Sequence, residues 1–339
     1  MNKKTYRIKL RFTGPLHLSR GQSDEYDHAE SVLHSDTLKS ALFVAVNTLY
    51  GNEAAETFMK ECILSSAFPF DNETFYIPKP MMKMPFQFKE LSGAANESKL
   101  SKKLKKIEYI STGLFKKIIN AGPNTETFPL SWLSADGKFL SRDISGEKIM
   151  THAVQQRVSI DPERNEASKP YYVDRLYFKE TAGLYFLAGM DEQMAKTVFS
   201  ALKLLGDSGI GTDRNVGMGH FDFEEKSDVD TYTFPEISSP NALMLLSLYL
   251  PQKEELDKEW INKSSYLLIK RGGYISSDAK QEFLSFRKNM VYMFKEGSVL
   301  TTTGSLKGKI ADLNPGNIQG LDHKIYRDGQ AFVIPIKIE

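Results

Sequence analysis

The sequence predicts an α+β fold built from two modules, and three observations carry that expectation. At 339 residues the chain exceeds the roughly 150 that one domain usually takes. Apolar residues at period two alternate with apolar residues at helical period along the first two thirds. Similar strand-like segments return, more loosely, after the polar stretch EEKSDVD.

The first strand lies in TYRIKLRF, where Tyr6, Ile8, Leu10 and Phe12 alternate with Arg7, Lys9 and Arg11. One face is therefore apolar and the other wholly basic, suited either to phosphates or to solvent. In HSDTLKSALFVAVNTLY a helix is capped by Ser35 or Asp36 and buried along Leu38, Ala41, Leu42, Ala45 and Leu49. TFYIP reads as a short strand, and PKPMMKMP, broken by prolines, continues no regular element. From about residue 79 to 172 the chain reads as a long insertion. Within it SKLSKKLKKIEYISTGLFKK carries seven lysines against one glutamate, with Leu100, Leu104 and Ile107 at helical spacing. This most basic stretch suits a solvated surface or a nucleic-acid contact.

After the insertion, YVDRLYF and GLYFLAG read as two strands joined by a turn at KETA. DEQMAKTVFSALKLLG is a helix with Met194, Val198, Ala201, Leu202 and Leu205 on one face and Gly206 as its stop. A glycine-rich loop follows, then the strand MGHFDFEE. Without the insertion the order is strand, helix, strand, strand, helix, strand, the split βαβ or ferredoxin-like (RRM-like, βαββαβ) arrangement. The first module accordingly spans residues 1–228. Residues 229–339 are expected to form a second, degenerate ferredoxin-like module, with strands in ALMLLSLYL, SYLLIKRGGYI, GSVLTTTG and QAFVIPIKI and charged helical material in KEELDKEWINK.

Composition narrows the function classes. With 44 basic and 43 acidic residues the formal charge is +1, so nucleic acid is met through local patches rather than a global field. A single cysteine, Cys62, excludes an internal disulfide and a multi-cysteine zinc site, as expected in a reducing cytoplasm. No apolar run reaches the roughly 18 residues of a membrane helix, and MNKKTYRIKL is too polar for a secretion signal. The expected localisation is cytoplasmic.

The loop GDSGIGTDRNVGMGHF, residues 206–221, is the most distinctive feature. It follows a helix, whereas a dinucleotide-binding loop follows a strand and opens a helix. It also lacks the lysine and hydroxyl residue of a phosphate-binding nucleotidase loop, since Thr212 and Asp213 occupy those places. What remains is a loop whose missing side chains let another backbone approach and leave amides facing outward, with Arg214 as a planar charged fork for phosphate or base. The other role open to it is a tight C-terminal cap.

Eight stretches in order, GPLHLSRG, HSDTLKSAL, SSAFPF, YIPKP, RVSID, LLGDSGIGTDRNVGMGHF, EGSVL and HKIYRDGQAFVIPI, resemble the RAMP superfamily (repeat-associated mysterious proteins) of CRISPR systems, most closely the branch supplying the fourth subunit of type III-A Csm complexes. Asp328 stands where that pattern carries an aromatic. The resemblance implies a non-catalytic subunit without cofactor or metal. Such a subunit grips the repeat-derived 5′ handle of the guide RNA (crRNA), caps the backbone filament of related RAMP subunits, and docks the large polymerase-like subunit. It further implies RNA contacts at Gly209, Gly211, Arg214, Asn215, Gly217 and Gly219 of the loop, at His17 and Arg20 after the first strand, at Ser35, Asp36 and Lys39 of the first helix, and at Arg157 and Arg271. Each residue also has a plainer role: helix cap for Ser35 and Asp36, solvated helix face for Lys39, surface ion pairs for Arg157 and Arg271, loop histidine for His17. The alternative function is a metal-independent endoribonuclease processing guide precursors, for which His17, His28 and His34 are the available acid or base.

Overall fold

The computed structural model describes the chain apart from residues 1–2, 20–28, 92–96, 121–125, 145, 159, 162–165, 168–169, 235, 276–282, 285, 322 and 339. It is a mixed α+β structure. Its main sheet runs Phe221–Asp222, Lys4–Phe12, Ala182–Met190, Phe68–Asp71, Thr74–Pro78, Tyr109–Ser111, Phe139–Leu140, antiparallel throughout except for the last pair. Ile8 lies opposite Phe186 and Leu10 opposite Leu184, so the alternating apolar residues of the two longest strands meet in the core. The helices Ser35–Tyr50 and Glu192–Ser208 pack side by side over this sheet.

Three local differences from the sequence reading have clear causes. The strand Tyr171–Phe178 does not pair with Ala182–Met190; it forms a separate two-stranded ribbon with Met150–Arg157, and Phe68–Asp71 takes the place beside Ala182–Met190. Gly206 does not end its helix. The helix runs on to Ser208 and is capped by Gly209 at φ 78°, while a side chain at Gly206 would collide with the carbonyl of Phe221. Leu49 is exposed and Val46 is buried in its stead on the first helix.

The basic face of the first strand is paired with carboxylates instead of being left free for phosphate. Arg7 Nε donates to Asp230 at 3.0 Å, Lys9 Nζ to Glu73 at 2.9 Å and Arg11 Nε to Asp228 at 2.8 Å. The Phe75 ring lies under the Arg7 guanidinium at 3.7 Å.

The insertion extends the main sheet through Tyr109–Ser111 and Phe139–Leu140. In the second half, Ala242–Leu245 is flanked by Val299–Leu300 and Val333–Ile336, with two ribbons, Leu268–Arg271 with Val291–Phe294 and Gly308–Asp312 with Tyr326–Gln330. Among the described residues this half has one α-helix, the six-residue Lys258–Lys263, where a full copy of the first arrangement needs two. Ala242, Met244, Val299, Ile334 and Ile336 join the core of the first half, and Val229–Thr231 still pairs with Tyr6–Ile8. Among the described residues no helix is long and apolar enough to cross a membrane.

Candidate nucleic-acid interface

Three chain segments converge at the Phe221 edge of the sheet. The loop after the long helix folds back on itself, Ile210 N donating to Gly219 O at 2.9 Å. It is then laced to the loop after the first strand: Thr212 N donates to His17 O at 3.1 Å, Gly219 N to Pro15 O at 2.8 Å, and Thr13 N to His220 O at 3.0 Å. Leu16 and Leu176 exchange two backbone bonds of 2.8 Å, which ties the base of the ribbon to the same place.

Most of the loop glycines serve this lacing. A Cβ at Gly209 would sit 2.7 Å from Met218 O, one at Gly211 2.5 Å from His17 O, and one at Gly219 would overlap the carbonyl of Ile210. These three therefore admit protein backbone. Gly217, at φ 83° with open space around it, closes a short turn, Arg214–Val216, whose residues form an exposed crest with Thr212. Among the described residues the amides of Asp213, Arg214 and Asn215 have no protein acceptor, and Arg214 forms no ion pair.

Arg157 reaches the crest from the ribbon. Its guanidinium is 3.2 Å from the Asp213 carboxylate, and Tyr171 lies directly across the ribbon from it. The ribbon also exposes Val154, Gln155, Gln156 and Tyr172. Its base is fastened by Asp174, whose buried carboxylate accepts from Ala29 N and from His152 Nδ1, both at 2.9 Å. Tyr172 escaped the sequence reading because its strand was assigned to the main sheet, and Gln155 and Gln156 because their segment was read as part of the insertion. The signal available was the run of exposed-type polar residues in THAVQQR, unusual for a central strand.

The other candidates lie elsewhere. His17 is buried, its Nδ1 donating to Asp174 O at 2.5 Å, so it supports the loop from below instead of facing RNA. Arg20 and His28 fall outside the described residues. Ser35, Asp36 and Lys39 are all fully buried. They correct the expectation of an accessible helix N-terminus, and neither Ser35 nor Asp36 caps: the cap position is His34, with no side-chain cap bond. Instead Ser35 Oγ accepts from Leu248 N at 3.0 Å, and Asp36 accepts from Arg271 at 2.9 and 3.0 Å and from Arg327 at 2.6 Å. Lys39 Nζ lies 3.2 Å from Asp328 and 2.5 Å from Gln330. Arg271 is thus spent on Asp36 in a nearly buried pair and is not a free phosphate ligand.

Burial would raise the pKa of Asp36, but Arg271 and Arg327 outweigh it and hold the carboxyl well below the usual carboxylate range. His34 sits beside this cluster, Nδ1 2.6 Å from Glu296 and Nε2 3.1 Å from Glu30. Burial pulls its pKa down, yet the charge and hydrogen bond of Glu296 prevail and raise it to about 9. His34 is therefore a structural cation. Cys62 is buried and its thiol pushed up to about 12 by that burial.

The chain matches the model of the RAMP superfamily over residues 9–222 and that of the CRISPR Csm4 C-terminal domain over residues 238–336. It is 25% identical to the Csm4 protein of Thermococcus onnurineus (strain NA1) over 319 residues, covering 90% of this chain and 91% of that one. It is also 25% identical to the Csm4 protein of Methanocaldococcus jannaschii, covering 97% and 96%. Its fold is similar to chains in the crystal structures of a Csm3–Csm4 subcomplex of a type III-A interference complex (TM-score 0.63, 20% identity, 99% and 100% covered) and of a Csm1–Csm4 cassette with cA4 (TM-score 0.60, 21% identity, 99% of each covered).

Proposed function

The chain belongs to the RAMP superfamily, in its Csm4 branch, and from that premise we propose that it is a non-catalytic, crRNA-binding subunit of a cytoplasmic type III-A effector complex. It holds the 5′ handle of the guide between the crest Thr212–Gly217 and the ribbon. We read its first half as a ferredoxin-like module, in keeping with the sheet order of last, first, third and second strand.

The observation that carries the reading is the crest itself. A loop clamped from below by three backbone bonds raises Arg214, free amides and Asn215 into solvent, beside a ribbon that exposes Tyr172. Phosphate takes the guanidinium and amides, and an unstacked base takes the aromatic face. Arg157 is shared with Asp213 and orients the crest, contributing little charge of its own.

Docking of the large polymerase-like subunit and of the backbone RAMP subunit is supported by the Csm1–Csm4 and Csm3–Csm4 assemblies formed by structurally similar proteins. The second half offers a surface of the right kind: Leu267, Leu268, Met290 and Tyr292 are at least half exposed along one ribbon.

The test is handle binding by the Arg214→Ala variant. Losing one phosphate contact weakens affinity and reduces the slope of log K against log salt by about 0.7. Unchanged affinity with an unchanged slope would make Arg214 a structural residue and remove the reading's main support.

A further inference from the structure

We propose that the lysine-bearing helix Glu97–Lys106, with Lys116 and Lys117 of the next helix, is a second surface for single-stranded RNA, distinct from the crest and independent of the handle. Leu100 and Leu104 pack against the core, and Lys79 Nζ donates to Leu104 O at 2.7 Å, so the helix is docked on the protein. Docking fixes which side faces out. Lys99, Lys102, Lys105, Lys106, Lys116 and Lys117 are exposed, and Lys103 is half-buried.

These charges are uncompensated. Among the described residues none of the seven forms an ion pair, whereas Lys9, Lys39, Lys138, Lys179 and Lys263 each hold a carboxylate. Glu108, the one glutamate in the stretch 98–117, is taken by Lys138 at 2.9 Å. In a chain of formal charge +1 such a concentration is a strong local field. The helix macrodipole accounts for Lys103, Lys105 and Lys106 in the last turn, but not for Lys99, Lys102 or Lys116.

Lys99, Lys102, Lys103 and Lys106 follow the i, i+3, i+4, i+7 spacing, which sets their Cβ atoms about 5–6 Å apart along one side. A row of bare lysines is the wrong composition for a protein interface, which depletes lysine and favours aromatics, methionine and arginine. It suits a phosphate backbone, which needs point charges and no base readout. The strand joining the two helices, Tyr109–Ser111, stands five places along the sheet from Phe221–Asp222, or roughly 24 Å at the usual strand spacing. One extended strand can therefore touch both surfaces, or each surface can hold its own RNA.

The experiment measures binding of a fluorescent uridine 20-mer, free of any repeat sequence, to the full-length chain across 50–300 mM KCl. The Lys99→Gln, Lys102→Gln, Lys103→Gln, Lys106→Gln variant is expected to lose up to about 3 units of salt slope, about 0.7 for each phosphate released. The corresponding four-arginine variant keeps the slope, and Arg214→Ala leaves this deficit unaltered, which separates the result from handle binding. An unchanged slope in the glutamine variant, with folding confirmed by circular dichroism, overturns the proposal. So does a variant that binds the 20-mer normally but no longer co-purifies with a companion subunit, which would make the helix a protein-docking face.

Discussion

Asp36, Lys39 and Arg271 show how misleading a charged residue can be when its neighbours come from far along the chain. The family resemblance implied an RNA contact at each, and each is neutralised by a partner at a sequence separation of 235 or more. The stretches that carry the family resemblance meet here: His34, Asp36 and Lys39 from one, Ser66 from another, Glu296 from a third, Arg327 and Asp328 from a fourth. The aspartate at position 328, standing where the family pattern carries an aromatic, is the counter-charge of Lys39. A buried pair broken on one side costs about 3–5 kcal/mol, because the remaining charge stays desolvated. His34→Gln should therefore lower stability by about that much at pH 7. The pH dependence follows from the direction of the shift. With a folded pKa of about 9 against 6.5 unfolded, the histidine's contribution is complete below about pH 6.5 and is lost as pH rises towards 9. Glu296, lowered from its ordinary value by the charge and hydrogen bond of His34 against its burial, contributes above the unfolded pKa and is lost as pH falls through the folded one. Urea midpoints of the natural chain should thus fall between pH 7 and 9.5 with intact fold at the lower value, and the His34→Gln variant should lack that alkaline decline.

At the scale of elements, the glycine loop was legible in position and only partly in purpose. Its place after a helix and before the last strand followed from the sequence, because helix period and glycine composition are local signals. That another backbone approaches these glycines was expected, but which one was not legible, because the carbonyls that Gly209, Gly211 and Gly219 admit come from Met218, His17 and Ile210 in the folded state. Two glycines of the same loop therefore respond differently to alanine. Gly219→Ala drives a Cβ into the Ile210 carbonyl and opens the loop, with a loss of several kcal/mol read as a lower Tm. Gly217→Ala meets nothing within 4 Å and pays only the left-handed backbone, about 1–2 kcal/mol. Equal effects of the two would contradict the lacing described above. The ribbon Met150–Arg157 with Tyr171–Phe178 was assigned to the wrong partner for a related reason: residue 178 is four residues from Ala182, and a tight hairpin is the default for strands that close, whereas the observed pairing crosses residues 158–170.

For the whole molecule, the order of elements in the first half could be read from periodicity, and the second half only as a set of strands. Its residues Ala242, Met244 and Ile336 complete the core of the first half, so their neighbours are set by tertiary packing and leave no periodic trace of their own. The resulting body has an exposed crest at one edge of its sheet, a lysine face towards the other, and an apolar ribbon on its second half. The claim on which the account rests is that guide RNA lies between crest and ribbon. Its most direct test is a mass-spectrometric map of RNA-crosslinked peptides from the crRNA-loaded assembly. The account predicts crosslinks in the peptides holding Arg214 and Asn215 and in the one holding Tyr172. Crosslinks confined to other parts of the chain, with the crest protected by protein alone, would contradict it.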